Sequence, residues 1–389
     1  MDRHTGTVAG NGAGGAAAGG ADGAGETAGE VEVVPVDLLT ATVRDVFAAA
    51  GCDATEARRV AADLVGANLT GHDSHGVVRV PLYVQWLRAG HVHAGRSARV
   101  VTDGGAFVVL DGDAGLGQTV AAEAVAMGVE RARAQGSCIV ALRNAGHIGR
   151  VGGYVETALS AGLISLHFVN VARSALVAPF GAVERRFSTA PVAIGVPLPG
   201  RPLVLDFATS LVAEGKVQVA SHGGKPLPPD ALISADGERS GDPRVLYGDY
   251  AETDLRSAAN GTGAIRAFGE HKGSGLALVV ELLAGAFTGG GCAGPPGGPP
   301  GIANGMLSVY LSPEHFGTRE EFERIGREYL DWVLSARPAD AAEPVLAPGD
   351  PEARTRAART AGGVPLSAGT WAALRRTAAE LGVAVAAAG

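Results

Sequence analysis

Several things are scarce in this chain, and each scarcity excludes something. There are three cysteines, Cys52, Cys138 and Cys292, in 389 residues. An odd number at wide spacing builds neither a disulfide framework nor a zinc knuckle, so free thiols in a reducing compartment are expected. Basic residues are outnumbered, 32 Lys and Arg against 40 Asp and Glu, a formal charge of -8. A nucleic-acid binder usually carries a basic face, so none is expected here. No run of about 18 uncharged apolar residues occurs, which argues against a membrane span. The first 30 residues are almost all Gly, Ala and small polar residues. They lack the apolar h-region of a secretory signal and too little apolar surface is present to offset ordering. A disordered tail over residues 1–30 of a cytoplasmic protein is the expectation.

What is present suffices for a large core. Hydrophobic residues make up 46% of the chain, and this length suggests two domains, or one with additions. A helix is predicted over 38–50 with Asp37 as a cap. A second starts at Asp53, where Asp53 and Glu56 form a capping-box-like pair. Pro81 suits the first turn of a third. From there strands and helices alternate: strand 106–113, helix 117–136, strand 138–144, helix 151–162, strand 163–171. This indicates an α/β class. Runs 190–198 and 201–208 read as a hairpin across Pro-Gly turn chemistry. Residues 273–289 are apolar nearly all round, which predicts a buried helix. A strand near 306–313 is followed by helices at 319–336, 351–362 and 369–382, and GGGCAGPPGGPPG at 289–301 reads as a loop. The resulting division is an N-terminal helical part over 31–113, a domain over 114–312, and C-terminal helices over 313–389 that pack with the N-terminal part.

Four stretches carry chemistry. GLGQTV at 115–120 follows a strand and precedes a helix, but Val120 stands where a dinucleotide fingerprint needs its third glycine. A tight strand-to-helix turn is the better reading. NAGHIGRVGG at 144–153 sets His147, Ile148, Gly149 and Arg150 among glycines at a strand-to-helix junction, a pattern that suits phosphate. LDFATS buries Asp206 in an apolar run, where it needs a partner. Lys272, in GEHKGSG, heads the apolar helix. In TGHDSHGVVRV, His75 and Arg79 stand four apart and would share a helical face. An arginine grips carboxylates and a histidine exchanges protons near neutral pH, so the pair suits a 2-oxo or 2-hydroxy acid. A metal clip from His72 and His75 lacks a third ligand of clear spacing, and an ordinary polar turn stays open from this stretch alone.

Taken in order, SHGVVRVPLYV, NAGHIGRVGGYVETA, STAPVAIGVP, LDFATS followed by EGKV, and HKGSGLALVVELLAGAFTG resemble the malate/L-lactate dehydrogenase family of the second type over about residues 36–385. That family is unrelated to the Rossmann-fold lactate and malate dehydrogenases and also contains reductases of cyclic imino acids. The resemblance implies an NAD- or NADP-dependent oxidoreductase, usually a homodimer, with a non-Rossmann mixed-sheet cofactor domain and a helical domain built from both chain ends. By position it implies His75 as proton donor, Ser74 as its neighbour in a relay, Asp206 as the acid of that relay and Arg79 as the grip on the substrate carboxylate. His147 is implied in substrate or cofactor contact, and Asn170, Thr189, Pro191, Lys216 and Lys272 near the nicotinamide and phosphates. No resident metal is implied.

Two departures stand out. Ala190 replaces the asparagine of a G-T-N-P pattern in Ser188-Thr189-Ala190-Pro191. Ser274 and His271 replace two aromatics of Y-K-G-Y-G, which suggests a more open or more polar pocket. The reading is therefore hydride transfer to C2 of a small carboxylate substrate. Its rivals are cyclic imine reduction on the same scaffold, a metal-dependent hydrolase using His72 and His75, and a cofactor-binding protein without turnover.

Overall fold

The computed structural model describes residues 31–251, 256–294 and 302–386; the tail expected over 1–30 and residues 295–301 of the glycine-proline loop lie outside them. The fold is mixed α/β, and its largest element is a seven-stranded sheet. Across the sheet the strands run Arg99–Asp103, Phe107–Asp111, Ser137–Ala145, Ala303–Leu311, Ile164–Ala172, Val192–Val196, Leu203–Phe207. Only Phe107–Asp111 and Ser137–Ala145 pair in parallel; the other five pairings are antiparallel. That is not the doubly wound parallel sheet of a Rossmann domain. The central position is taken by Ala303–Leu311, which arrives from far along the chain. Two strands within 31–113, Arg99–Asp103 and Phe107–Asp111, hydrogen-bond into this sheet. The expected hairpin over 190–208 is present, with Ala193 opposite Asp206.

The glycines of GLGQTV serve packing. A Cβ on Gly117 would lie 2.2 Å from the His147 carbonyl oxygen, so glycine lets helix Gly117–Gln135 start against the segment that carries His147. This helix and Gly152–Ser160 cover one sheet face, burying Val120, Val125, Val140, Leu142, Val155 and Val169 among others. A smaller four-stranded sheet, including Val177–Ala178 and Ala264–Arg266 paired in parallel, builds a second core with Leu232, Leu246 and Val280.

The helical part has its own core. Helices Val36–Ala49, Ala54–Leu69 and Val80–Arg88 bury Leu39, Phe47, Leu64 and Tyr83 against Trp371 and Leu374 of Ala368–Glu380. A two-stranded sheet, Val31–Val34 against Val364–Ser367, ties the two ends of the chain together. Helix Arg319–Leu334 lies elsewhere: Arg327 donates to the Pro199 carbonyl at 2.9 Å, and Gly326 packs on Leu198 at the turn of the 192–207 hairpin.

Three local expectations change. Asp37 lies inside the first helix, whose cap position is Pro35. Asp53 does cap the second, accepting from Thr55 N at 2.7 Å and Glu56 N at 2.8 Å. Glu56, however, turns inward to accept from Gly95 N and Thr119 Oγ1 instead of closing a reciprocal box. The apolar run after Lys272 is not wholly buried. Helix His271–Val280 passes into a π-helical turn, Glu281–Ala286, which points Glu281 inward at 3% exposure and leaves Leu282 and Phe287 outside at 51% and 70%. The π-helical turn shifts the helical phase, and the apolar residues divide between two faces.

Candidate active site

The stretch after helix Ala54–Leu69 forms two short 3₁₀ turns, Asp73–His75 and Val77–Arg79, separated by Gly76 in extended conformation. His75 and Arg79 therefore do not share one helical face. The segment is pinned from both sides. Asn68 accepts from Val77 N at 2.8 Å and donates to Asp73 at 2.6 Å. Arg359, from helix Asp350–Gly362, grips both oxygens of Asp73 at 2.6 and 3.1 Å. Gly76 is required, because a Cβ there would lie 2.1 Å from Asn68 Oδ1. The carboxyl-terminal helices thus hold the turn that carries Ser74 and His75.

Beside this turn lies a cavity of about 540 Å³. Of the residues expected at a site, His72, Ser74, His75, Gly149, Arg150, Thr189, Pro191, Asp206 and Lys216 line it. They come from the 3₁₀ turn, the strand-to-helix junction, the hairpin and the start of helix Glu214–Ser221. Phe207, Leu211, Val212 and Phe268 supply apolar wall. His75 Nδ1 meets Ser74 Oγ at 3.0 Å. Burial, with His147 and then Arg79 nearby, holds the His75 pKa well below the usual histidine range, so the ring is neutral at physiological pH.

His147 stands behind His75. Its Nδ1 is bonded by Tyr83 Oη and faces Gly149 N–H at 3.3 Å. An N–H can only donate, so Nδ1 accepts and the neutral ring carries its proton on Nε2. Burial, then Arg79, lowers its pKa to about 3. Ile148 is a core residue, 2% exposed, whose N–H donates to Asn304 Oδ1.

Asp206 lines the same cavity, but its carboxylate accepts from Gly152 N at 2.7 Å, at the start of helix Gly152–Ser160. Among the described residues no hydrogen bond joins it to Ser74, so the expected Asp206–Ser74 link is not made here. Burial raises its pKa, opposed by His72, the Gly152 N–H and Arg150. His72 faces Glu352 at 3.3 Å, and among the described residues no group of three His, Cys, Asp or Glu could hold a metal ion.

Besides His147 and Ile148, three expected positions sit apart from the cavity lining. Arg79 is 7% exposed behind Ser74. Asn170 is fully buried as a hub, donating to Glu281 Oε2 and the Gly291 carbonyl, both at 2.9 Å, and accepting from Gly305 N. Lys272 is exposed at the head of its helix. The departures also resolve. Ser274 is 9% exposed and accepts from Phe180 N at 2.9 Å, so it ties a loop and leaves this cavity unchanged. Ala190 adopts φ 36°, the left-handed region that asparagine tolerates better than alanine.

Sequence reasoning missed Asp63, Tyr83 and Glu214. Asp63 Oδ2 is buried with no hydrogen-bond partner among the described residues, and only the absence of a Cβ at Gly149, which would lie 2.5 Å away, leaves it room. A carboxylate on the apolar side of AADLVGAN was the available signal. The described residues include no helix long and apolar enough to cross a membrane, and the three cysteines are free.

Residues 34–375 match the model of the family described as malate/L-lactate dehydrogenase. The chain is 39% identical over 349 residues to hydroxycarboxylate dehydrogenase B of Escherichia coli strain K12, covering 89% of this chain and 93% of that one. It is 36% identical over 347 residues to the L-lactate dehydrogenase of Cupriavidus necator, covering 88% and 96%. Among solved structures it superposes on malate dehydrogenase from Pyrococcus horikoshii with a TM-score of 0.80 at 28% identity, covering 92% and 97%.

Proposed function

The chain belongs to the malate/L-lactate dehydrogenase family of oxidoreductases, and from that premise we propose that it transfers a hydride between a nicotinamide cofactor, NAD or NADP, and C2 of a small 2-hydroxy or 2-oxo acid. The observation that carries this reading is the Ser74–His75 bond at the wall of the cavity. The lining fits such a cofactor: Arg150 and Lys216 supply positive charge, Gly149 presents backbone without a Cβ, and Pro191 and Phe268 supply apolar surface for a flat ring. Gly149, Arg150, Thr189, Pro191 and Lys216 would hold it. When bound in reduced form, the cofactor supplies a hydride to the substrate carbonyl carbon.

The chain's own residues do the rest. Neutral His75 accepts the hydroxyl proton when a 2-hydroxy acid is oxidised and returns it to the carbonyl oxygen in reduction, the same path read in either direction. Ser74 Oγ orients the imidazole. Arg79, immediately behind, provides positive charge for the substrate carboxylate. Asp206 adds a carboxylate to the cavity wall, where His72 and Arg150 are the cations that favour its charge. The homodimer implied by the resemblance is supported by the exposed Leu278, Leu282 and Phe287, and a reducing, cytoplasmic setting by the free cysteines.

The test is to follow NADH and NADPH absorbance against pyruvate, oxaloacetate, phenylpyruvate and cyclic imino acids. Turnover of a 2-oxo acid is expected. Turnover of cyclic imines alone would move the substrate class, and no turnover with either cofactor would remove the reading.

A further inference from the structure

Arg79 meets the substrate carboxylate in the reading above, yet two of its three guanidinium nitrogens already hold a partner. Nε donates to the Ser74 carbonyl at 2.8 Å and Nη2 to Glu214 Oε2 at 2.9 Å. The other oxygen of Glu214 accepts from the hydroxyl of Tyr247, which is 1% exposed. Nη1 alone is left without a partner among the described residues. Ser74 in turn bonds His75.

The result is one series of contacts, Tyr247–Glu214–Arg79–Ser74–His75, joined at Ser74 by its carbonyl on one side and its Oγ on the other, spanning three separate segments. Arg244–Tyr247 belongs to the smaller sheet's core, Glu214 opens the helix that carries Lys216, and Asp73–His75 belongs to the helical part. The fit at the crossing is tight: a Cβ on Gly215 would lie 2.6 Å from both Arg79 Nη2 and Ser74 Cβ. A guanidinium held along two directions cannot rotate, and the free nitrogen is presented at one angle. An arginine without Glu214 would have rotamer freedom to lose on meeting substrate.

We propose that Glu214 is a positioning residue for the reaction: it holds Arg79 so that its Nη1 side receives the substrate carboxylate, and through Arg79 and Ser74 it sets the orientation of His75. The proposal rests on the roles of Arg79 and His75 proposed above. It also confines the carboxylate to the Nη1 side of Arg79, because the bonds to Ser74 and Glu214 occupy the Nε side.

The experiment uses the full-length enzyme, the 2-oxo acid turned over fastest among pyruvate, oxaloacetate and phenylpyruvate, and that acid's methyl ester, which lacks the charge. Glu214→Ala is expected to raise KM for the acid about tenfold to a hundredfold, the cost of a small misplacement near the reacting atoms. KM for the ester should move far less, and NADH affinity, read by fluorescence, should stay at the wild-type value. Glu214→Gln and Tyr247→Phe should shift in the same direction by less, and they decide the matter if Glu214→Ala does not fold. Equal losses on acid and ester would show a merely structural role and overturn the proposal, as would wild-type KM in all three variants. His75→Ala, run alongside, separates the two ideas. Wild-type turnover there removes the underlying site reading, while a large loss there with no effect at Glu214 removes only the positioning role.

Discussion

The rings of His75 and His147 lie face to face, their centroids 5.7 Å apart and their planes 17° from parallel. Two buried imidazoles so placed cannot both carry charge, and each is held neutral. In the proposed oxidation of a 2-hydroxy acid, His75 is the base. The acidic limb of its pH–rate profile should therefore fall well below the ordinary histidine value of about 6.5. Replacing His147 with Asn removes a ring whose protonation opposes that of His75, and the limb should move to higher pH. A limb that stays in place in the variant would show that His147 has no electrostatic hold on His75.

His75→Ala should lower kcat in both directions by about 10²–10⁴-fold, the usual worth of a positioned proton-transfer group. Cofactor affinity should be kept, because only the ring is removed. Ser74→Ala should cost less, since it frees the imidazole without deleting it. Steady-state kinetics with cofactor titration checks both, and near-normal turnover of His75→Ala would reassign the proton donor.

Asp63 gives stability a second pH dependence of the opposite sign from the histidines. Burial pushes its carboxyl up to about 7, against the effects of Gln118 and Arg150, whereas the unfolded chain holds it near about 3.9. Between those values the folded state binds the extra proton, so this contribution is complete at low pH and is lost as pH rises towards 7. Asp63→Asn cannot titrate. Its stability relative to wild type should improve between pH 5 and pH 8, at about 1.4 kcal/mol per unit titrated. Urea unfolding at the two pH values reads this directly; an unchanged difference would mean that Asp63 is charged throughout.

His167 supplies the opposite case away from the cavity. It is fully buried against Ser308 Oγ at 2.8 Å, and burial lowers its pKa to about 3. Here the unfolded state binds the extra proton below about 6.5, so stability declines as pH falls from there. His167→Gln should flatten that decline in a thermal melt series from pH 7 to pH 4.5.

Ala190 carries a backbone cost at φ 36°, while its methyl is fully buried in the core beside the smaller sheet. Ala190→Gly should relieve about 1 kcal/mol of left-handed strain, partly offset by the greater freedom of glycine when unfolded. A small rise in the denaturation midpoint is expected; a fall would mean that packing of the buried methyl outweighs the strain.

Much of this was legible in the sequence because it depends on local chemistry. Asp53 as a cap, Pro81 at a first turn, the 190–208 hairpin and the failed fingerprint at Val120 all follow from neighbours in the chain. His75 was singled out by its spacing from Arg79, which the two 3₁₀ turns do not bear out, and Ser74 only through the family resemblance. The partners of Asp206, Asn170 and Arg79 were not legible. Their hydrogen bonds run to Gly152, Glu281 and Glu214, which are distant in sequence, and spacing does not encode which of several acids folds against a given base. The division of the apolar helix failed for a different reason. Hydrophobicity marks what can be buried, while the π-helical turn at Glu281–Ala286 determines which side actually is.

The pairing of Val31–Val34 with Val364–Ser367, together with the late arrival of Ala303–Leu311 at the middle of the large sheet, sets a timetable for synthesis. A ribosome has released the Ser74–His75 turn, the strand-to-helix junction and the hairpin long before either lobe can close. Until residue 311 emerges, Ser137–Ala145 and Ile164–Ala172 each present an open edge, and such edges pair readily with other chains. The active site is thus assembled from early residues but locked by late ones, which makes the nascent chain, and not the finished enzyme, the stage most exposed to misassembly.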